Sequence, residues 1–354
     1  MSAKEILSRW VVGKKPTVNE QEKLLAEELA KPATATAWGI TRENGLEKIQ
    51  QREHLFRVVY PEVVELCTNL SIKNTDQIQE TLWKLWLPIA IQLAEKKQQL
   101  GRPLIQGILG GQGTGKTTLA AIIRLILKHF TYSTLNFSLD DLYKTYIERE
   151  RLKQQDSRLI WRGPPGTHDV KLGIEILDRL RQQKRRYPLL IPRFDKSAFG
   201  GIGDRSEPER VDAVDVILFE GWFVGVRPID EQAFQASPAP IITQEDRKFA
   251  QDCNQRLKEY LPLWERLDSL MVLYPVDYRL SKQWRQEAEQ KMVAKGKSGM
   301  SDEEVKKFVE DFWISLHPEL FITPLIQNPD LVDLVVEIKR DRTPGLVYQA
   351  GLPQ

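Results

Sequence analysis

The sequence predicts an α/β fold in which helices cover both faces of a parallel sheet. Beyond residue 103, short apolar runs typical of buried strands alternate with runs typical of helices, and this alternation favours a parallel sheet with two covered faces. The candidate strands are residues 104–109, 134–139, 189–194, 214–219, 270–273 and 332–338. The turn-rich tract 199–208 is too long for a plain connection, so we expect a functional loop there.

A helical region is predicted ahead of this alternating part. Residues 20–30 are rich in Glu, Leu and Ala, and residues 77–99 place their apolar side chains along one stripe. Pro88 lies inside the second run and is expected to kink or divide that helix. We therefore expect a helical region over 1–100 packed on a core domain over 101–345, followed by a C-terminal tail over 346–354.

A phosphate-binding pattern follows the first candidate strand. The pattern Gly-x-x-x-x-Gly-Lys-Thr begins at Gly110 and leads into the apolar helical run 119–127. In such a loop the backbone amides point at phosphate oxygens, Lys116 reaches the β and γ phosphates, and Thr117 offers its hydroxyl to Mg²⁺. The positive end of the following helix favours the same anion. The predicted nucleotide-contacting residues are Gly110, Gly111, Gln112, Gly113, Thr114, Gly115, Lys116, Thr117 and Thr118.

Carboxylates follow two of the candidate strands, at the edge where α/β sheets bind ligands. We predict that Asp140 orients a substrate hydroxyl and accepts its proton, and that Asp141 caps a helix. Glu220 is predicted to hold Mg²⁺ through water, together with Thr117. The alternatives are a capping role for Asp140 and a structural ion pair for Glu220.

The composition is that of an ordinary globular protein. The chain has 354 residues, 41% of them hydrophobic and 28% charged, with a mean hydropathy of −0.40 and a formal net charge of +2. Such a balance indicates no nucleic-acid partner. Cys67 and Cys253 have neither disulfide nor metal-site spacing, and no signal peptide or apolar run of membrane length is present, so we expect a cytoplasmic protein without a membrane partner.

Further segments resemble a known enzyme family. They are 138–143 (SLDDLY), 162–169 (RGPPGTHD), 195–201 (DKSAFGG) with 203–205 (GDR), and 219–222 (FEGW). Together with the phosphate loop they resemble D-glycerate 3-kinases, which belong to the group of P-loop kinases that includes phosphoribulokinase, uridine kinase and pantothenate kinase. The resemblance spans about residues 104–338. Phe194 departs from it, because a tyrosine is expected before Asp195, and Leu142 replaces a more usual aromatic residue.

The resemblance implies a P-loop NTPase-type fold and Mg²⁺-assisted transfer of the γ-phosphate of ATP to the terminal hydroxyl of D-glycerate. It also implies that Asp140 is the catalytic base and that a helical lid, around residues 278–312, closes over the phosphates. Arg285 is the lid arginine by position and by resemblance, with Arg279 as second choice; a surface ion pair is the alternative. Glycines at 296 and 299 suggest a flexible break in this lid.

A carboxylate substrate needs a fixed cation, and arginine suits it best because its planar fork can donate two hydrogen bonds. The candidate cations are Arg162, Arg193, Lys196 and Arg205, each with a solvated surface charge as the alternative. The predicted substrate-binding residues are Arg162, His168, Asp195, Lys196 and Arg205. Since 167–169 directly precede a helical run over 170–182, capping by Thr167 or Asp169 also explains part of that segment.

Two other functions fit the same motifs. A P-loop kinase could act on another hydroxylated metabolite, such as a nucleoside, pantothenate or a sugar phosphate. A P-loop NTPase could act as a switch or a nucleic-acid remodeller, and it would then need a basic face and salt-sensitive, nucleic-acid-stimulated hydrolysis.

Overall fold

A six-stranded sheet forms the centre of the molecule, with strand order β2-β5-β1-β6-β7-β8. The computed structural model describes residues 1–182, 187–294 and 300–351. The first five strands in this order run parallel, and β8 pairs antiparallel with β7. The strands are β1 Leu104–Gly110, β2 Thr134–Ser138, β3 Leu189–Asp195, β4 Asp204–Val211, β5 Val216–Gly221, β6 Ser269–Pro275, β7 Leu334–Ile338 and β8 Pro344–Tyr348. The predicted α/β class with a parallel sheet is confirmed.

Helices cover both faces of this sheet. They are α1 Ala3–Val11, α2 Val18–Leu29, α3 Pro32–Ala37, α4 Gly45–Asn69, α5 Thr75–Thr81, α6 Leu87–Leu100, α7 Lys116–Lys128, α8 Tyr146–Gln155, α9 Val170–Leu180, α10 Gln244–Arg256, α11 Leu261–Trp264, α12 Leu280–Val293, α13 Asp302–Ser315 and α14 Pro318–Phe321. In the ranges that the structure describes, each helix is too short or too polar to cross a bilayer.

All seven residues of β1 are buried, as expected for the middle strand of a sheet with two covered faces. Successive side chains point to opposite faces, so Leu104 and Ile108 join one apolar core and Ile105 and Leu109 join the other. The first core also contains the N-terminal helices and α7, whereas the second contains α9, α10 and α11. Helices α1 to α6 therefore share with α7 the apolar core on one face of the large sheet.

The N-terminal helices are held to one another by aromatic packing. Trp10, Phe56 and Trp83 meet edge to face, with ring centroids 5.6 Å apart for Trp10 and Trp83 and 5.9 Å apart for Phe56 and Trp83. Each such pair adds about 0.5–1.5 kcal/mol beyond the burial of its area. Pro88 does not interrupt the helical backbone: a π-helical segment, Leu82–Trp86, runs directly from α5 into α6, and the proline lies in the first turn of α6.

One predicted strand lies in a different sheet. Residues 189–194 do form a strand, but β3 pairs antiparallel with β4 in a two-stranded sheet of its own. The turn-rich tract predicted as a loop over 199–208 contains the start of β4, so its irregular part is shorter than expected. Pro192 and the exposed Leu190 fit this short hairpin better than they fit a buried central strand.

The chain continues past β7 into β8, which covers one edge of the large sheet. The boundary expected between core domain and tail, after residue 345, falls inside this strand. Thr34 Oγ1 at the start of α3 donates a hydrogen bond to the backbone oxygen of Val347, 3.1 Å away, and ties the edge strand to the N-terminal region. The last predicted tail residues, 352–354, lie outside the described residues.

Candidate active site

The phosphate-loop pattern forms a tight turn between β1 and α7. Gly115 caps the helix with a φ of 90°, a left-handed conformation that favours glycine. Lys116 Nζ folds over the loop and donates to the backbone oxygens of Gly110 and Gly111, at 2.7 and 3.1 Å. Thr114 Oγ1 also donates to the oxygen of Gly111, at 2.8 Å. The loop thus presents its amides and one ammonium group at the positive end of α7.

A hydroxyl and a carboxylate meet beside this loop. Glu220, at the end of β5, lies opposite Ile108 of β1 and Ser138 of β2 in the strand register. Its Oε1 accepts a hydrogen bond from Thr117 Oγ1 at 3.0 Å. A hydroxyl oxygen and a carboxylate oxygen, both of the kind that Mg²⁺ prefers as ligands, therefore lie together next to the phosphate loop.

Asp140 lies in a 3-10 turn, Leu139–Leu142, that follows β2. Its Oδ2 is 2.6 Å from Lys196 Nζ. Burial opposes ionisation, but the charge of Lys196 and hydrogen bonds from Lys196 and Tyr143 hold the pKa of Asp140 below its ordinary value. The carboxyl group is therefore an ionised acceptor at neutral pH.

Asp141 has a structural role, but the N-cap of the 3-10 turn is Ser138, and Asp141 is the third residue of that turn. Its Oδ2 accepts a hydrogen bond from the Ser138 amide, completing the capping box of the 3-10 turn, at 3.0 Å. The same atom accepts from Arg193 Nη1 at 2.7 Å. Burial raises the pKa of Asp141, against the opposing effects of these two donors. The two neighbouring aspartates thus differ in their partners. Asp140 pairs with Lys196 and affects the pKa of Lys116, whereas Asp141 pairs with Arg193.

Lys116, Glu220 and Asp140 lie within electrostatic reach of one another. Burial lowers the pKa of Lys116, the carboxylates of Glu220 and Asp140 oppose that shift, and Lys196 adds to it. The structure therefore brings together the phosphate loop, the Glu220 carboxylate and the Asp140 carboxylate, which the sequence placed on three separate strands.

His168 is buried and neutral. Burial lowers its pKa to about 3, although the charge of Asp140 opposes the shift. The imidazole ring stacks on Tyr143, with centroids 4.5 Å apart, and its Nδ1 is 2.8 Å from the hydroxyl of Tyr260. Its Nε2 is buried and finds no hydrogen-bond partner among the described residues.

Of the other residues predicted to bind substrate, two have their side chains occupied locally. Arg205 Nη2 donates to Asp169 Oδ2 at 3.1 Å and its Nε donates to the backbone oxygen of Tyr143. Asp195 accepts from the amide and hydroxyl of Ser197 in a turn. Asp169 also caps α9 by accepting from the Leu172 amide at 3.1 Å, so the capping alternative for this residue is confirmed.

Arg162 is differently placed. Its Nη1 donates to the backbone oxygens of Gly201 and Ile202, at 2.7 and 2.9 Å, and its guanidinium lies over the ring of Phe194. Arg149 lies over the same ring, at 5.2 Å from its centroid. Phe194, which stands where the family resemblance implies a tyrosine, is thus an apolar platform for two guanidinium groups.

The predicted lid helix α12 packs on the phosphate loop. The Trp284 side chain lies so close to Gly113 that a side chain at that glycine would collide with it, and its Nε1 donates to the backbone oxygen of Arg340 at 3.1 Å. Arg285, the next residue, forms an ion pair with Glu289, and its guanidinium lies over Phe308 of α13. Arg279 instead pairs with Asp277 on the surface, and the glycine-containing break at 296–299 lies outside the described residues.

Several site residues were missed by sequence reasoning. Tyr143 bonds to Asp140, Tyr260 to His168, Arg149 to the backbone of the 202–203 loop, and Trp284 contacts the phosphate loop. Tyr143 lies in a segment that carries the family resemblance, which was the available signal for it. The other three act through contacts between distant segments, which no local pattern shows.

Fold and site together define the class of this protein: a phosphate loop at the end of a parallel sheet, with strand-end carboxylates beside it, is the arrangement of P-loop kinases. Comparison with known proteins identifies relatives within that class. The chain is 33% identical over 228 residues to the uncharacterized kinase mug58 of Schizosaccharomyces pombe, a match covering 62% of this chain and 82% of that protein. It is 32% identical over 278 residues to chloroplastic D-glycerate 3-kinase of Arabidopsis thaliana, covering 74% of this chain but 59% of that protein.

A solved structure agrees with these relatives. D-glycerate 3-kinase from Cryptococcus neoformans is 28% identical, with a TM-score of 0.65 over 73% of this chain and 96% of that one. No family model matches the chain. The chain belongs to the family of P-loop kinases that contains D-glycerate 3-kinase.

Proposed function

We propose that this protein transfers the γ-phosphate of ATP to the terminal hydroxyl of D-glycerate, giving 3-phosphoglycerate and ADP. The observation that carries the proposal is the ionised Asp140 carboxylate, held by Lys196 and Tyr143 on the acceptor side of the phosphate loop. The names of the plant and fungal relatives support glycerate as the acceptor.

Asp140 acts on the acceptor. The terminal oxygen of glycerate forms a bond to the γ-phosphorus, the bond from that phosphorus to the β,γ-bridging oxygen breaks, and the hydroxyl proton passes to a carboxylate oxygen of Asp140. Because phosphoryl transfer has a loose transition state, the carboxylate contributes orientation as well as proton acceptance. Its low pKa keeps it ready to accept across the neutral range.

Lys116 and Arg285 act on the donor. Lys116 Nζ, which bonds to the carbonyls of its own loop here, would offset the charge of the β and γ phosphates of bound ATP. Arg285 follows Trp284, which packs α12 on Gly113 of the phosphate loop, and its guanidinium pairs with Glu289 in this structure. We assign it to the charge that develops on the transferred group.

Thr117 and Glu220 are the residues that would hold Mg²⁺. Their hydrogen-bonded oxygens are hard donors at one position beside the loop, and this donor set fits the ion. Bound there, Mg²⁺ would reduce the negative charge on the phosphates of ATP.

An acceptor screen tests the proposal. The purified protein is incubated with labelled ATP, Mg²⁺ and one acceptor at a time: D-glycerate, uridine, pantothenate or ribulose 5-phosphate. We expect kcat/KM for D-glycerate to exceed that for the other three by at least roughly 100-fold. A higher value for any other acceptor, or ATP turnover that needs none, would overturn the proposal.

A further inference from the structure

We infer that Arg162 is the residue that recognises the anionic carboxylate of the acceptor, and so determines the class of substrate. This inference rests on the proposed kinase function and names the substrate-selecting group of that same site. The sequence offered Arg162, Arg193, Lys196 and Arg205 as candidate cations, and their partners in the structure separate them.

Three of these cations already pair with carboxylates. Arg193 bonds to Asp141 and Glu209, Arg205 to Asp169, and Lys196 to Asp140. Within the described ranges Arg162 pairs with no carboxylate, and its hydrogen bonds to Gly201 and Ile202 go to backbone oxygens through Nη1. Its Nη2 and Nε therefore remain as donors for an acid brought by a ligand.

The surroundings of Arg162 call for an anion. The pKa of Arg149 and the pKa of Arg285 are both lowered, chiefly by burial. The positive charge of Arg162 lowers both of them further. It also opposes the rise that burial and Asp140 cause in the pKa of Tyr143. Arg162 is thus within electrostatic range both of Tyr143, which bonds to Asp140, and of Arg285. Among the described residues, the hydrogen bonds of Arg149 and Arg162 go to backbone oxygens, so neither charge is neutralised by a carboxylate there.

The anchoring of the arginines decides which anion each one serves. Arg285 belongs to α12, which packs on the phosphate loop through Trp284, so we assign it to the transferred phosphate; in this structure it pairs with Glu289. Arg162 is bonded to the 201–202 backbone, in the same loop that carries Lys196 to Asp140. It is therefore placed for the far end of the acceptor, which in glycerate is the carboxylate.

The backbone that carries Arg162 is fixed. Gly163 has a φ of 136°, and any side chain there would collide with Phe312 of α13. Its oxygen accepts a hydrogen bond from Trp222 Nε1 at 3.2 Å. With its side chain lying over Phe194, the guanidinium is held before substrate arrives, which lowers the entropic cost of binding.

The test compares D-glycerate with D-glyceramide, its uncharged amide, as acceptors for wild-type protein, Arg162→Met and Arg162→Lys. For Arg162→Met we expect kcat/KM with D-glycerate to fall by roughly 100-fold or more, while kcat/KM with D-glyceramide changes by less than about threefold. Arg162→Lys should lie between, because lysine keeps the charge but loses the planar fork.

Equal losses with both acceptors would overturn the inference, since they would place Arg162 on the transferred phosphate. Arg151→Met, on the exposed side of α8, removes the same charge and should leave both values unchanged. ADP affinity reports whether Arg162→Met folds; if it does not, a wild-type preference for D-glycerate over D-glyceramide below about threefold overturns the inference instead. Wild-type protein that phosphorylates no carboxylate acceptor overturns the proposed function, and the inference with it.

Discussion

The hydroxyl of Thr117 donates a hydrogen bond to Glu220 Oε1 across 3.0 Å, joining the first turn of α7 to the end of β5. The two residues are 103 positions apart in the chain. They meet because β1 and β5 are parallel neighbours, so that the residues following both strands emerge at the same edge of the sheet.

Glu220→Gln should raise the Mg²⁺ concentration needed for half-maximal turnover by at least roughly tenfold. The amide keeps the hydrogen bond from Thr117 but loses the charge that attracts the ion. The measurement is initial rate against free Mg²⁺ at saturating ATP. An unchanged Mg²⁺ dependence would assign Glu220 a purely structural role.

Asp140→Asn should lower kcat by roughly 100-fold or more, since the amide cannot accept the hydroxyl proton. ADP binding, measured by calorimetry, should persist because Asp140 faces the acceptor side of the loop.

Asp141→Asn is the matched control for that variant. It should keep turnover within about threefold and lose roughly 1–2 kcal/mol of unfolding free energy, because it weakens the charged bond to Arg193. If Asp141→Asn were inactive and Asp140→Asn active, the two roles would be reversed.

Lys196→Met should move the acidic limb of the kcat/KM profile to higher pH. Lys196 lowers the pKa of Asp140 in the folded protein, so the base stays ionised until the pH falls through that depressed value. Without the ammonium group, burial dominates and the carboxyl is protonated at higher pH. Rates with D-glycerate between pH 4 and 8 would measure the shift; an acidic limb at the wild-type position would contradict the role assigned to Lys196.

His168 should stay neutral between pH 4 and 8, with its proton on Nε2. The Gly166 amide donates to the Tyr260 oxygen at 2.9 Å, and we expect the tyrosine hydroxyl to donate its own hydrogen to His168 Nδ1. Long-range ¹H–¹⁵N NMR of the imidazole identifies the tautomer. Tyr260→Phe should remove this preference, and a wild-type proton on Nδ1 would refute the assigned direction of the bond.

The features that the sequence predicted well are those that depend on a short contiguous segment. The phosphate loop is one contiguous segment. The two buried strands that end near Gly110 and Glu220, β1 and β5, are each marked by an apolar run. The pairing of β3 with β4 could not be predicted in this way, because an apolar run indicates a strand without indicating its sheet.

The partners of the charged residues were equally hidden. Arg193 and Arg205 carried the same signal as Arg162, a basic residue in or beside a glycine- or proline-containing segment. Arg193 is distinguished by a bond to Asp141, 52 residues away, and Arg205 by a bond to Asp169, 36 residues away. Only the folded arrangement separates a satisfied cation from one with donors to spare.

The most direct measurement is ³¹P NMR of the product formed from ATP, Mg²⁺ and D-glycerate. We expect one new phosphomonoester, 3-phosphoglycerate, formed in equal amount with ADP and absent from the Asp140→Asn reaction. Phosphate on the 2-hydroxyl, or ADP formation that does not depend on glycerate, would contradict transfer to the terminal hydroxyl by this site.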